Sequence, residues 1–146
     1  MKKRVRAIIV KDGLLLLIHR TKVDKEYWVF PGGGLEDSDV SPQSGLKREC
    51  LEELGVEVEV GEFFMERPSD SPVIDQIEFF YFCHIVNGEV GTGNGPEFTR
   101  NPKQSGTYEI QWIPVPNLAQ KNVYPTDVRD QVTNSILLEK SNHHHE

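Results

Sequence analysis

Apolar and polar residues alternate in short runs along most of this chain, and the runs end at glycine, proline or asparagine. Val5 to Val10 reads as a strand, followed by a Lys11-Asp12-Gly13 hairpin turn. Leu14 to Ile18 is apolar at every position, as in a strand covered on both faces, and His19-Arg20 ends it. Tyr27 to Phe30 is a short strand running into Pro31-Gly32-Gly33-Gly34, which predicts a tight, irregular turn. Val56 to Phe64 alternates valine with glutamate, the pattern of a half-exposed strand. Arg67 to Pro72 is expected to be a loop, Val73 to Val86 a long strand, and Asn87 to Arg100, continued to Gly106, a mobile loop. Thr107 to Ile113 is a further strand, and Pro114-Val115-Pro116-Asn117 turns into a helical piece at Leu118.

Two segments switch to helical spacing. Ser41 is suited to N-cap a helix, Pro42 to its first turn and Gly55 to its C-terminal cap, so a helix is predicted from Ser41 to Leu54. Gly45 lies inside it, where a small residue predicts that another backbone passes close by. A last helix is expected from Thr126 or Asp127 to Leu138, with Val128, Val132, Ile136 and Leu137 as its apolar face. Strands dominate and two helices accompany them. The fold class is therefore α/β of the α+β type, a mixed sheet with helices on two sides.

The first helix also carries the chemistry. Leu46, Cys50 and Leu54 form an apolar stripe, whereas Glu49 and Glu53, four residues apart, stand on one face with Glu52 on its flank. Acids gathered in this way repel one another unless a cation is bound. Alone, such a face is usually just solvated. The preceding Arg48, the following Gly55 and the upstream glycines set this one apart.

Length and charge narrow the partners. The chain has 146 residues, 37% of them hydrophobic, and a net charge of −7. It is expected to form one domain over residues 1–140, with a disordered tail over 141–146 whose histidines are given no role. The acidic balance argues against binding a nucleic-acid polymer but is compatible with a small phosphorylated ligand, because metal ions neutralise both partners. No apolar run is long enough to span a membrane, and the basic start, Met1 to Arg4, leads into a strand and not into a leader. Two cysteines, Cys50 and Cys83, read as buried thiols of a reducing compartment, so a cytoplasmic location is expected.

The run Gly34…Arg48-Glu49-Cys50-Leu51-Glu52-Glu53-Leu54-Gly55-Val56 resembles the signature of the Nudix hydrolases, of MutT-like type. The likeness extends to Phe30-Pro31-Gly32-Gly33-Gly34, to the strand ending at Arg20, and to Tyr108-Glu109-Ile110-Gln111-Trp112, covering about Val5 to Leu138. It departs at Val40, where the family has an acid. A one-residue loop insertion that puts Asp39 in that place accounts for the difference.

The resemblance implies a Nudix-like α/β/α sandwich and hydrolysis of the pyrophosphate linkage in nucleoside diphosphate derivatives, with Mg²⁺ or Mn²⁺ as cofactor. Glu49 and Glu53 are the first-choice metal ligands, Glu52 is a third ligand or acts through water, and backbone groups of Gly33 and Gly34 help shape the site. Arg48 is expected to steer Glu52. The general base stays open among Glu52, Glu53, Glu97 and Glu109, with Glu109 favoured by the resemblance as base or additional ligand.

Arg6 and Arg20 are expected to contact phosphate, and Glu97 lies in a loop expected to close over substrate. Trp28, Tyr81 or Phe79 is expected to stack a base, although the run Phe79 to Phe82 reads first as core. Nucleoside triphosphates, oxidised ones included, are the first expectation for substrate. ADP-ribose or a nucleotide sugar comes next, and then dinucleoside polyphosphates. A Nudix-fold nucleotide sensor without turnover is the competing class, and a homodimer is left open.

Overall fold

A computed structural model describes residues 2–69, 75–91 and 107–144, with side chains through Glu139. Strand β1 (Lys2–Lys11) and β2 (Leu14–Lys22) form a hairpin. Asp12 and Gly13 both take positive φ, 53° and 78°, which matches the twist of a two-residue turn. After the pairs Val10↔Leu15 and Lys11↔Leu14 the two strands part. β2 continues with β3 (Lys25–Val29) on one edge and β7 (Thr107–Pro114) on the other, both antiparallel. β1 instead pairs antiparallel with β4 (Gly32–Gly34) and parallel with β6 (Gln76–Gly88), which carries β5 (Val56–Pro68) on its outer edge. β8 (Val123–Tyr124) adds parallel to β3.

Strand parity sorts the core into two layers. Val5, Ala7, Ile9, Leu16 and Ile18 point to one face and are covered by Leu46, Cys50 and Leu54 of helix α1 (Pro42–Leu54). Ile8, Leu15, Leu17, Phe30 and Phe80 point to the other face. There they meet the 3-10 turn Val115–Gln120 and helix α2 (Thr126–His144) through Leu118, Val128 and Val132. This is the expected mixed sheet between helices, and of the run Leu14 to Ile18 expected to be covered on both faces, Leu15 to Ile18 are buried whereas Leu14, beside the turn, is only partly so. Each such aliphatic side chain contributes about 1.5–3 kcal/mol when withdrawn from water. Cys50 and Cys83 are free and buried, and burial pushes the Cys83 thiol up to about 12.

Several local expectations need correction. Gly32–Gly34 is a strand and not only a turn, because its backbone pairs with Arg4–Arg6. β5 absorbs Arg67 and Pro68, and β6 runs on through Asn87 and Gly88. A Cβ at Gly45 would meet the side chains of Leu35 and Asp39, so side chains and not a backbone demand the glycine. The last helix starts at Thr126 and extends to His144, past Leu138 and into the expected tail. Leu137 is 42% exposed and does not belong to its apolar face. Glu97, with most of the expected mobile loop, lies outside the described residues.

Candidate active site

Ser41 Oγ accepts from Ser44 N–H at 3.0 Å, and Pro42 occupies the first turn, so α1 begins where the sequence puts it. The helix ends at Gly55, whose N–H bonds the Leu51 carbonyl at 3.0 Å. Between these caps, Glu53 belongs to the buried side of α1, 5% exposed, beside the apolar stripe. Burying a carboxylate is costly unless donors meet it. Gly32 N–H supplies one, 3.1 Å from Glu53 Oε1.

Two glycines make this approach possible. Gly32 has φ +143°, and a Cβ there would lie 1.9 Å from the Val5 carbonyl oxygen. A Cβ at Gly33 would lie 2.5–2.7 Å from the Glu49 carboxylate. The space a side chain would fill at Gly33 is therefore held by an acid.

Arg48 ties the loop before α1 to the helix. Its Nε and Nη2 donate to the two Asp39 oxygens at 3.1 and 3.0 Å, and Nη2 also donates to the Gly34 carbonyl at 3.2 Å. Nη1 reaches Glu49 at 3.1 Å and Glu52 at 3.3 Å. The fork to Asp39 holds that carboxyl below its usual range, helped by the Glu36 N–H, and pushes the guanidinium up. Asp39 thus serves as the acid of the loop, while Val40 is 91% exposed. The expected Arg48–Glu52 contact is present, but it is one of several.

Glu49, Glu53, Gly32, Gly33 and Gly34 form one wall of a cleft of about 360 Å³. Arg4, Arg6 and Arg20 line it as well, with Tyr27 and Tyr108. Arg6 Nη1 donates to the Phe30 carbonyl at 3.2 Å. Arg20 donates from Nε to the Thr107 carbonyl and lies 5.1 Å from the Tyr108 ring centroid. Burial lowers the Arg4 guanidinium, as does Arg6 beside it, against the opposing pull of Glu78, Glu49 and Glu53. Arg4 Nε is buried without a hydrogen-bond partner. Such a cleft, with carboxylates on one wall and guanidinium groups around them, suits a polyanion that arrives with a cation.

The expected residues do not all converge. Glu52 is 41% exposed on the flank of α1, and no group of three acidic, histidine or cysteine side chains among the described residues is poised around one point. Glu52, expected as a third ligand or one acting through water, is thus not gathered with Glu49 and Glu53 around one point among the described residues. What fits a hard divalent cation is the pair Glu49 and Glu53 against the Gly33 backbone.

Glu109 points to the opposite face of the sheet, because Tyr108 one residue earlier takes the cleft side. Its carboxylate is 64% exposed, 3.9 Å from His19 Nδ1. Trp28 is buried at 6% exposure, donates to Gln111 Oε1 at 2.9 Å, stacks on His19 and has Lys121 Nζ 4.6 Å from its ring centroid. Its ring is thus packed inside the protein and does not offer a base a surface. Tyr81 is likewise core, and Phe79, partly buried, packs against the same cluster.

Arg4 and Tyr108 escape the sequence reading. The missed signals are that β1 starts at Lys2, which puts Arg4 and Arg6 on one face, and that the parity of β7 favours position 108 over 109.

A profile described as the NUDIX domain matches residues 1–130. The CTP pyrophosphohydrolase of Escherichia coli K12 is 44% identical over 61 residues, 40% of this chain and 44% of that protein. A MutT-like protein of Streptomyces ambofaciens is 46% identical over 55 residues, 38% of this chain and 34% of that one. The matches thus span less than half the length of these relatives. The solution structure of the E. coli ORF135 protein superposes with a TM-score of 0.66 at 24% identity, covering 97% of this chain and 92% of that one. A MutT NUDIX hydrolase from Burkholderia pseudomallei gives 0.62 at 23%, covering 88% and 94%. These two share the fold.

Proposed function

The chain belongs to the Nudix family, and from that premise we propose that it is a pyrophosphohydrolase of nucleoside diphosphate derivatives, acting first on nucleoside triphosphates. The observation that carries this reading is the paired Glu49 and Glu53 carboxylates in the arginine-lined cleft. Nudix hydrolases generally use a divalent metal, and Mg²⁺ or Mn²⁺ is the ion proposed here. Glu49 and Glu53, with the Gly33 backbone, would hold it, and when bound it supplies positive charge against the phosphoanhydride and acidifies water.

The protein's own groups do the rest. Arg4, Arg6 and Arg20 bind and orient the phosphate chain. Water attacks one phosphorus, the bridging oxygen leaves with its electron pair, and the water's proton passes to a motif carboxylate, Glu53 or Glu52. Arg48 acts as a positioning residue by holding Glu49, Glu52 and the Asp39 loop together. The name of the E. coli relative, a CTP pyrophosphohydrolase, supports a nucleoside triphosphate as substrate.

The test is product formation from nucleoside triphosphates, ADP-ribose and nucleotide sugars, with Mg²⁺, with Mn²⁺ and with chelator. Metal-dependent release of a nucleoside monophosphate is expected, with kcat reduced at least about a hundredfold in Glu53→Gln. Turnover that survives chelation, or that Glu53→Gln leaves intact, refutes the proposal.

A further inference from the structure

A second cavity, of about 160 Å³, adjoins the cleft and shares Arg6, Val29 and Phe30 with it as a common wall. Phe80, Tyr124, Glu78, Arg67 and Ser69 also line it; Arg67 stands opposite Glu78 in the sheet but turns Nε to Asp127 at 3.0 Å and Nη1 to the Pro68 carbonyl. Phe30 and Phe80 meet edge to face at 5.4 Å. Glu78 and Phe80 are two apart on β6 and face the α2 layer, away from α1.

Glu78 is unusual in two respects. The residue is only 8% exposed, and its carboxylate meets Arg6 Nε at 3.9 Å, beyond hydrogen-bond distance. Among the described residues no hydrogen bond to it is present. The carboxylate thus has a guanidinium as ion-pair partner, keeps 11% of its side chain exposed and retains acceptor capacity toward the cavity, which a donor on a ligand can use.

We propose that this cavity takes the base of the nucleotide whose phosphates lie in the cleft, and that Glu78 selects cytosine by accepting from its exocyclic amino group. The assignment rests on the hydrolase reading above for the placement of the phosphates. Size argues for a single ring, because a cavity of about 150 Å³ holds one benzene. The aromatic walls supply apolar contact for a ring. Charge argues for an amino edge: a carboxylate accepts from the N4 amino group of cytosine, whereas uracil presents a carbonyl oxygen at the same place. Two acceptors facing each other repel, so uridine nucleotides are disfavoured by the same group that favours cytidine ones.

Equilibrium titration of Glu53→Gln with nucleoside triphosphates tests this apart from turnover. Cytidine triphosphate is expected to bind at least about tenfold more tightly than uridine triphosphate or N4,N4-dimethylcytidine triphosphate. The dimethyl analogue removes the donor without altering the protein, so the test does not depend on a second variant folding. Adding Glu78→Gln, whose amide both donates and accepts, is expected to bring the cytidine and uridine affinities within about threefold.

Equal affinities for the three nucleotides, no binding of any of them, or a guanosine or adenosine nucleotide that binds more tightly than cytidine overturns the assignment. Metal-dependent turnover without base preference overturns the base pocket and leaves the hydrolase standing. Base preference without turnover does the reverse.

Discussion

Replacing Arg48 by Ala removes a group that joins the loop before α1 to the acidic face of the helix. Asp39, with its side chain 7% exposed, then loses both of its guanidinium bonds and keeps only the Glu36 N–H at 2.8 Å. Breaking a fully buried ion pair from one side costs about 3–5 kcal/mol, and an exposed pair contributes at most about 1 kcal/mol. The Arg48–Asp39 pair is part-buried, the Arg48 side chain is 23% exposed and Asp39 retains a donor, so an intermediate cost applies, about 1–2 kcal/mol. In a domain of this size that lowers Tm by roughly 3–7 °C.

The pH dependence carries a sign. The folded state holds the Asp39 carboxyl below its ordinary value of 3.8, so the stability it contributes is complete above that value and is lost as pH falls through the folded one. The gap between wild type and Arg48→Ala is therefore expected to be full at pH 7 and to shrink on acidification below about pH 4. Urea unfolding of both proteins at several pH values measures it, and Asp39→Asn in each background isolates the pair. A midpoint that does not move in Arg48→Ala, or a gap as large at pH 3 as at pH 7, refutes the reasoning.

Other substitutions separate neighbouring residues. Gly33→Ala places a methyl where the Glu49 carboxylate lies, so kcat/KM is expected to fall about a hundredfold while Tm shifts by only a few degrees. Gly32→Ala drives a methyl into the Val5 backbone at a positive φ and is expected to cost at least about 3 kcal/mol, read by denaturant unfolding. Glu109→Gln, on the far face of β7, is expected to leave turnover within about twofold of wild type. A hundredfold loss there would return Glu109 to the reaction.

What the sequence made legible follows the physics of each signal. The caps of α1 and its apolar stripe were readable because capping and 3.6-residue spacing are local. The Asp12-Gly13 hairpin was readable for the same reason. The identity of the cleft-facing residue on β7 was not, since a one-residue change of register exchanges the faces, and Tyr108 and Glu109 look equally suitable before the strand is paired. Trp28 reads as available because aromatic character is visible in sequence whereas the partners that enclose it, His19 and Lys121, are distant or paired across strands. In sequence the glycine run reads as a turn, because its β pairing with Arg4–Arg6 is a long-range fact.

The early parting of β1 and β2 has a consequence for how such a protein changes. After two pairs the strands go to different neighbours, and the cleft draws its lining from both, Arg4 and Arg6 on β1 and Arg20 on β2. The acids at its rim hang from one layer and the neighbouring aromatic cavity belongs to the other. Substitutions at Glu78 or Phe80 on one side and at Glu49 or Glu53 on the other can therefore vary separately, whereas Arg6, Val29 and Phe30, which line both spaces, cannot.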